Sequence, residues 1–295
     1  GVHYKVSYKD NKNAGTATLT ITGINQYSGT KKTTFKITPQ RLGRVEVGKV
    51  ADQTYTGKAK KPKVKLTSGS VTLKEGTDYK LVYVGNKKPG KADIVIKGKG
   101  NYTGTKTVSF NIIIPKLKAV KVKKYTDNSI TFSWKKNDLV NGYEIYNSKN
   151  RRVAHVRKNS TTSATVSKLK ANKTATFRVR SYVISGGKRY FSSFVKIKAS
   201  TGPKATTITS IASPKSKQAT IKWKKVKGAT TYQVYRSTSK KGKYKKLTAT
   251  KKTSYTDKKA TGGKTYYYKI RVGKKSSLGT FYSSYSPVRS IKAKN

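Results

Sequence analysis

Residues 1–37 and 76–112 are one segment written twice, in register and without a gap, at a constant offset of 75. Tyr4 matches Tyr79, Tyr8 matches Tyr83, Gly23 matches Gly98, Tyr27 matches Tyr102 and Phe35 matches Phe110; 16 of the 37 positions are identical. A fixed period of this kind restricts the chain to strung copies of one supersecondary unit. The complete unit spans 40–115, and 1–39 corresponds to its C-terminal half, so the sequence reads as a portion of a longer tandem array. Without partner strands, that half is expected to pack on the next module or to be partly unstable.

The local pattern says what the unit is made of. YKLVYV (79–84), ADIVIKG (92–98), ITFSW (130–134) and FRVRSYV (177–183) are rich in β-branched and aromatic residues, many alternating with Lys, Thr or Ser. That alternation marks strands with one buried face. It outweighs a composition that would otherwise suggest disorder: formal net charge of +58 and mean hydropathy of −0.72. The chain is therefore expected to be all-β, folded around thin cores with lysine outward. The 295 residues exceed what one such module needs. No run approaches the roughly 18 apolar residues of a membrane span, and zero cysteine excludes disulfides and thiol chemistry.

Beyond residue 115 a second kind of module occurs twice. NSITFSWKK (128–136) aligns with KQATIKWKK (217–225), placing Trp134 on Trp223. NGYEIYNS (141–148) aligns with TTYQVYRS (230–237), and TFRVRSY (176–182) with YYKIRVG (267–273). A tryptophan on an early strand, a Tyr-x-x-Tyr strand and an alternating aromatic–Arg strand suggest a seven-stranded antiparallel sandwich. On these residues, 116–202 and 203–295 resemble fibronectin type III domains, covering about three-fifths of the chain. The second keeps that family's corner tyrosine at Tyr266 after the turn ATGGK (260–264), whereas the first has Ala175 there. Resemblance also implies core positions for Tyr143, Tyr146, Tyr232, Tyr235, Tyr266 and Tyr268. Residues 1–115 resemble bacterial immunoglobulin-like repeats, through DYKLVY and GKADIVIKGKGNYTGTKTVSFNI. Lysine-rich arrays mixing the two modules resemble secreted or surface proteins of Gram-positive anaerobes, where such repeats act as stalks. The expected architecture is thus tandem antiparallel β-sandwich modules in an elongated array: 1–39, 40–115, 116–202 and 203–295.

Catalytic chemistry has little to draw on. General acid–base work needs titratable groups converging in a cleft, yet the chain holds two histidines, His3 and His155, and ten scattered carboxylates. Glu75 and Asp78 are close in sequence but occupy a turn, where Asp78 can accept from backbone amides; its repeat equivalent is His3. Gly98-Lys99-Gly100 precedes a strand and not a helix, so it is no phosphate loop. A Lys–Asn isopeptide staple would need a buried acid, and Glu144 is the only candidate. Alternation turns it away from Tyr143 and Ile145, toward solvent and neighbouring lysines. No enzyme activity, cofactor or metal is expected.

The cations remain. Net charge climbs along the chain, +5 over 1–39, +11 over 40–115, +18 over 116–202 and +24 over 203–295. Most are lysine, a hydrated point charge suited to diffuse attraction and not to forked recognition. Dense runs place Lys58, Lys60, Lys61, Arg151, Arg152, Lys240, Lys241, Lys245, Lys246, Lys251 and Lys252 as polyanion contacts. Solvated surface explains the same runs. Tyr282 and Tyr285, in GTFYSSYSP (279–287), suit sugar stacking if exposed and inter-strand packing if not. The function expected is a non-enzymatic stalk or adhesive segment, extracellular or on the cell surface, binding teichoic acid, acidic glycans or mucin; nucleic acid would bind non-specifically. The alternatives are a specific adhesin for a host protein or glycan, and accessory modules of a polysaccharide-degrading enzyme.

Overall fold

Strands follow wherever β-branched and aromatic residues alternate with Lys or Thr. The structure, a computed structural model, describes residues 2–295; among these there is no α-helix, only a 3-10 turn at Leu42–Arg44. The chain divides into two compact units, one running to Pro115 and including Ser185–Tyr190, the other comprising Lys116–Ile184 and Phe191–Asn295.

In the first unit, Tyr4–Lys9, Gly15–Gly23 and Thr30–Ile37 form a three-stranded antiparallel sheet. Register sets Tyr8 opposite Leu19, Val6 opposite Ile21 and Ala17 opposite Phe35. Directly opposed residues share a face, so one side is apolar and the other carries Lys5, Ser7, Lys9 and a row of threonines. The complete repeat builds the same sheet from Tyr79–Val84, Gly90–Gly98 and Thr105–Ile113, and adds Gln53–Thr54 in parallel at the edge. A second layer of Glu46–Val47, Leu66–Ser68 and Val71–Thr72 closes over it. The core joins Leu42, Val45, Val64, Leu66 and Leu73 of this cover to Tyr79, Ala92, Ile94, Ile96, Phe110 and Ile112 of the sheet. Gly98 is required by close approach: a Cβ there would lie 2.7 Å from the Thr103 amide nitrogen. At the repeat equivalent Gly23 it would lie 2.8 Å from the Tyr27 carbonyl.

The half-repeat does touch the complete one. The Ala14 amide donates to Asn101 Oδ1 at 2.6 Å, and Asn101 Nδ2 donates to Asn13 Oδ1 at 3.0 Å. Its apolar face stays open: Phe35 is 41% exposed where Phe110 is 2% exposed.

Residues 116–295 hold two sandwiches of matching topology. In the first, Lys121–Tyr125, Ile130–Ser133 and Ser163–Val166 face a sheet ordered Arg152–Val156, Gly142–Tyr146, Thr174–Ser185 and Lys188–Phe191, with Val195–Ser200 also on Thr174–Ser185. In the second, Ile208–Ala212, Ala219–Trp223 and Ser254–Asp257 face Lys245–Thr250, Thr231–Ser237, Thr265–Ser276 and Gly279–Tyr285, with Arg289–Lys292 also on Thr265–Ser276. Trp134 and Trp223 are buried, packed on Tyr143 and Tyr232 at centroid distances of 4.9 and 5.6 Å. The sandwiches meet where the Tyr125 ring stands edge-on to Phe281 at 4.9 Å and its hydroxyl accepts from the Tyr282 amide.

Tyr266 is buried, and its hydroxyl accepts from the Thr261 amide at 3.0 Å. Tyr266→Phe removes that acceptor without changing shape and is expected to cost the second sandwich about 1 kcal/mol. Urea unfolding followed by Trp223 fluorescence reads the loss; no shift in midpoint would make the corner bond neutral.

One expectation about the core is corrected. Tyr143, Tyr232, Tyr266 and Tyr268 are buried, but Tyr146 and Tyr235 are only half-buried and lie on the outer face. Three residues along a strand is an odd step, so the two tyrosines of each Tyr-x-x-Tyr point to opposite sides.

Candidate functional site

The outer face of each larger sheet carries an ordered stack of cations and aromatic rings, produced by a break in the last strand. In the first sandwich the ladder along Thr174–Ser185 is interrupted at Ser192. The Ser192 amide donates to the Ser181 carbonyl, while the Ser181 amide donates to the Ser192 side chain at 3.0 Å. A serine hydroxyl thus stands in for a ladder carbonyl, and an extra residue enters the strand. Phe191 and Phe194, three apart, consequently face the same way. The second sandwich repeats the device in Tyr282-Ser283-Ser284-Tyr285, where the Val272 amide donates to Ser283 Oγ at 3.0 Å.

Arg180 fills the first stack. Its guanidinium lies 3.6 Å from the Phe191 ring centroid, 4.8 Å from that of Phe194 and 4.9 Å from that of Tyr146. It also donates to Glu144 Oε2 through Nε at 3.1 Å and Nη2 at 2.9 Å. Arg152 Nη1 donates to Glu144 Oε1 at 2.8 Å, and the Tyr146 hydroxyl donates to Oε2 at 3.0 Å. Burial alone pushes this carboxyl up, but the bonds from Arg152, Arg180 and Tyr146 outweigh it and hold the group below its ordinary value. The expectation of a solvent-facing Glu144 is therefore wrong: its side chain is 1% exposed. Strand alternation does turn it away from the core, but the outer face has a cover of its own.

The second stack uses Arg271, 4.2 Å from the Tyr282 centroid and 5.4 Å from that of Tyr285. Gln233 replaces the carboxylate, accepting from Arg271 Nη2 at 2.8 Å and from the Tyr235 hydroxyl at 2.9 Å. Lys269 adds a second cation, 4.0 Å from Tyr244 and 4.1 Å from Tyr285. Tyr282 is half-buried and Tyr285 is 39% exposed. Their rings are occupied by Arg271 and Lys269, an inter-strand packing role. Aromatic-Ser-Ser-aromatic, present in both modules, was the sequence signal for this face.

Apart from Arg152, the predicted polyanion contacts lie elsewhere, and they do not converge on one pocket. Lys58 and Lys61 are exposed on the irregular segment after Gln53–Thr54, with Lys60 half-buried between them. Arg151 and Arg152 open the edge strand Arg152–Val156, and Arg152 is tied to Glu144. Lys240, Lys241, Lys245, Lys246, Lys251 and Lys252 are all exposed and run along one edge strand, Lys245–Thr250, and its flanking turns. Lysine on an edge also blocks strand addition by another chain.

Two further acids have structural tasks. Asp78 Oδ2 accepts from the Lys74 amide at 2.8 Å, closing the turn its sequence position implied. Asp257, 1% exposed, was not singled out in the sequence. It accepts from Arg236 Nη1 and the Tyr268 hydroxyl, each at 2.8 Å, and its other oxygen from the Lys259 amide at 3.0 Å. Burial, then the Asp257 acceptor, drive the Tyr268 hydroxyl far above its ordinary range. No group of three metal-ligating side chains occurs among the described residues, and no helix is long and apolar enough to cross a membrane.

A family described as "Fibronectin type III domain" matches residues 115–197, the first sandwich of the second unit. The chain is similar in structure to a two-domain fibronectin type III segment of chicken tenascin, with 17% identity, TM-score 0.33, and coverage of 61% of this chain and 100% of that one. The chicken CNTN1 FN1–FN3 domains give 11% identity, TM-score 0.38 and coverage of 98% of both chains. The sixth fibronectin type III domain of human fibronectin type III domain containing protein 3 gives 18% identity and TM-score 0.28, covering 32% of this chain and 90% of that one. No curated protein matches. The match to the fibronectin type III family thus falls on the first sandwich, within a chain whose other modules are also all-β.

Proposed function

We propose that this chain is a non-enzymatic stalk or adhesive segment of a secreted or cell-surface bacterial protein, holding anionic polymers such as teichoic acid, acidic glycans or mucin through its lysines. The observation that carries the reading is the disposition of charge. Ten carboxylates face 68 cations, and Glu144 and Asp257, two of the ten, are consumed inside the sandwiches. The exposed lysines along Lys245–Thr250 and its flanking turns, and those after Gln53–Thr54, lie in a dispersed array and do not share one cleft. A dispersed array binds by counterion release and multiplicity, with no single residue dominant.

Co-sedimentation with Gram-positive cell walls and with mucin tests this at about 50 mM and about 500 mM salt, where screening lengths differ several-fold. Binding at low salt should fall by orders of magnitude at high salt, and Lys240→Gln with Lys241→Gln should weaken it only modestly. Saturable binding that survives high salt would replace this reading with that of a specific adhesin.

A further inference from the structure

Where the two sandwiches of residues 116–295 meet, they leave a cleft of about 520 Å³ walled by lysines. Lys173 stands just before Thr174–Ser185 in the first sandwich, Lys204 in the segment joining the two, and Lys227 and Lys274 in the second. We propose that this cleft is a binding site for a compact multivalent oxyanion of the diphosphate class, separate from the dispersed lysines, and that the bound anion ties one sandwich to the other.

The walls are held by the protein itself. Asn172 Nδ2 donates to the Lys227 carbonyl at 3.0 Å, and Lys274 Nζ donates to the Asn172 carbonyl at 3.3 Å, so each sandwich grips the other beside the cleft. The contacts of Tyr125 with Phe281 and Tyr282 add to this grip. A site formed before its ligand arrives loses less freedom on binding. Gly228, at φ +76°, keeps one corner clear: a Cβ there would lie 3.5 Å from Asn172 Nδ2 and 3.7 Å from Lys274 Nζ.

The charge in the cleft is unbalanced. Lys173, Lys204 and Lys227 are exposed and Lys274 is half-buried. Among the described residues, no carboxylate forms an ion pair with any of them. The Lys274 ammonium has three protons to donate and one carbonyl acceptor in the protein, which leaves a partly desolvated charge short of partners. Ammonium groups around one cleft also repel each other. Both costs fall when an oxyanion enters and its oxygens accept from the lysines. The class of ligand follows. Lysine meets phosphate as a point charge, several such charges favour an anion that carries several, and the volume lies in the range of small-molecule sites. A neutral ligand or a single carboxylate would leave most of the repulsion in place.

Calorimetry of the full chain with inorganic pyrophosphate tests this in about 150 mM salt, where a screening length of about 8 Å mutes lysines outside the cleft. One saturable site is expected, with hydrogen exchange slowed in residues 171–173 and 226–228. Lys227→Gln with Lys274→Gln should weaken binding about tenfold or more, through the loss of two charge-assisted bonds. Lys196→Gln with Lys198→Gln removes as much charge from the exposed side of Val195–Ser200 and should leave binding unchanged. Lys274→Gln also gives up the bond to Asn172, so Lys173→Gln with Lys204→Gln, which keeps both ties between the sandwiches, is the second cleft pair and should cost several-fold. No saturable site, an equal loss for the pair at 196 and 198, or full affinity in both cleft pairs would overturn the proposal. Each of those results would leave the salt-sensitive binding to cell walls and mucin untouched, because that reading rests on other lysines.

Discussion

Glu144→Ala is expected to destabilise the first sandwich by about 3–5 kcal/mol, because it strands a buried cation by deleting its counterion. Arg180 would keep its place between Phe191, Phe194 and Tyr146 while losing both bonds to the carboxylate, and its side chain is only 18% exposed. Arg152 is less affected, being 44% exposed. The second sandwich supplies the control: Gln233 occupies the same place beneath Arg271 as a neutral acceptor. Glu144→Gln should therefore cost far less, about 1 kcal/mol. Urea unfolding followed by Trp134 fluorescence, in a Trp223→Phe background, isolates the sandwich in question. Equal losses for the two variants would show that charge, and not an acceptor in the right place, holds the stack.

The same residue gives an acid limit. Its folded value is depressed by Arg152, Arg180 and Tyr146 acting against burial, while the unfolded group titrates near about 4.3. The stabilisation is fully present above that unfolded value and is lost as pH falls through the depressed folded one. Glu144→Gln should remove this part of the acid sensitivity.

Asp257→Val is the second large effect, at about 3–5 kcal/mol in the second sandwich, again by orphaning buried partners. Arg236 and the Tyr268 hydroxyl both lose their acceptor. The first sandwich shows that the site does not require polarity: register places Val166 opposite Ile130 as it places Asp257 opposite Ala219, and Phe177 is buried in that core. Asp257→Val combined with Tyr268→Phe should recover about 1–2 kcal/mol of the loss, because no hydroxyl remains unpaired. Arg236 keeps its bond to the Lys259 carbonyl and its stacking on Tyr266. A double variant whose cost is the sum of the single ones would refute the coupling.

These two carboxylates mark where the sequence stopped being readable. Alternation and the internal repeats led directly to the strands and to the matched positions of Trp134 and Trp223. Alternation assumes that the side of a sheet away from the core is wet. It therefore placed Glu144 in solvent, because the cover over it comes from a bulged strand some fifty residues later. A bulge shifts side-chain parity by one, and period-two reading gave no warning beyond the paired serines at 192–193 and 283–284. The family resemblance erred in the opposite sense at Tyr146 and Tyr235, where counting residues along the strand would have been the better guide. Asp257 was passed over because a lone acid in a lysine-rich turn looks like a surface residue. Its burial depends on Tyr268 and Arg236, which meet it only in three dimensions.

The lysine-lined edge strand Lys245–Thr250 bears on assembly as well as on binding. Modules joined in one chain see each other at very high local concentration, and newly exposed strands of one can pair with the open edge of its neighbour. Such cross-pairing would bring the like charges of Lys245–Thr250 alongside another cationic strand. The cost of that encounter acts before any native sandwich has closed. Like charge on the finished surface would therefore also disfavour cross-module pairing during synthesis.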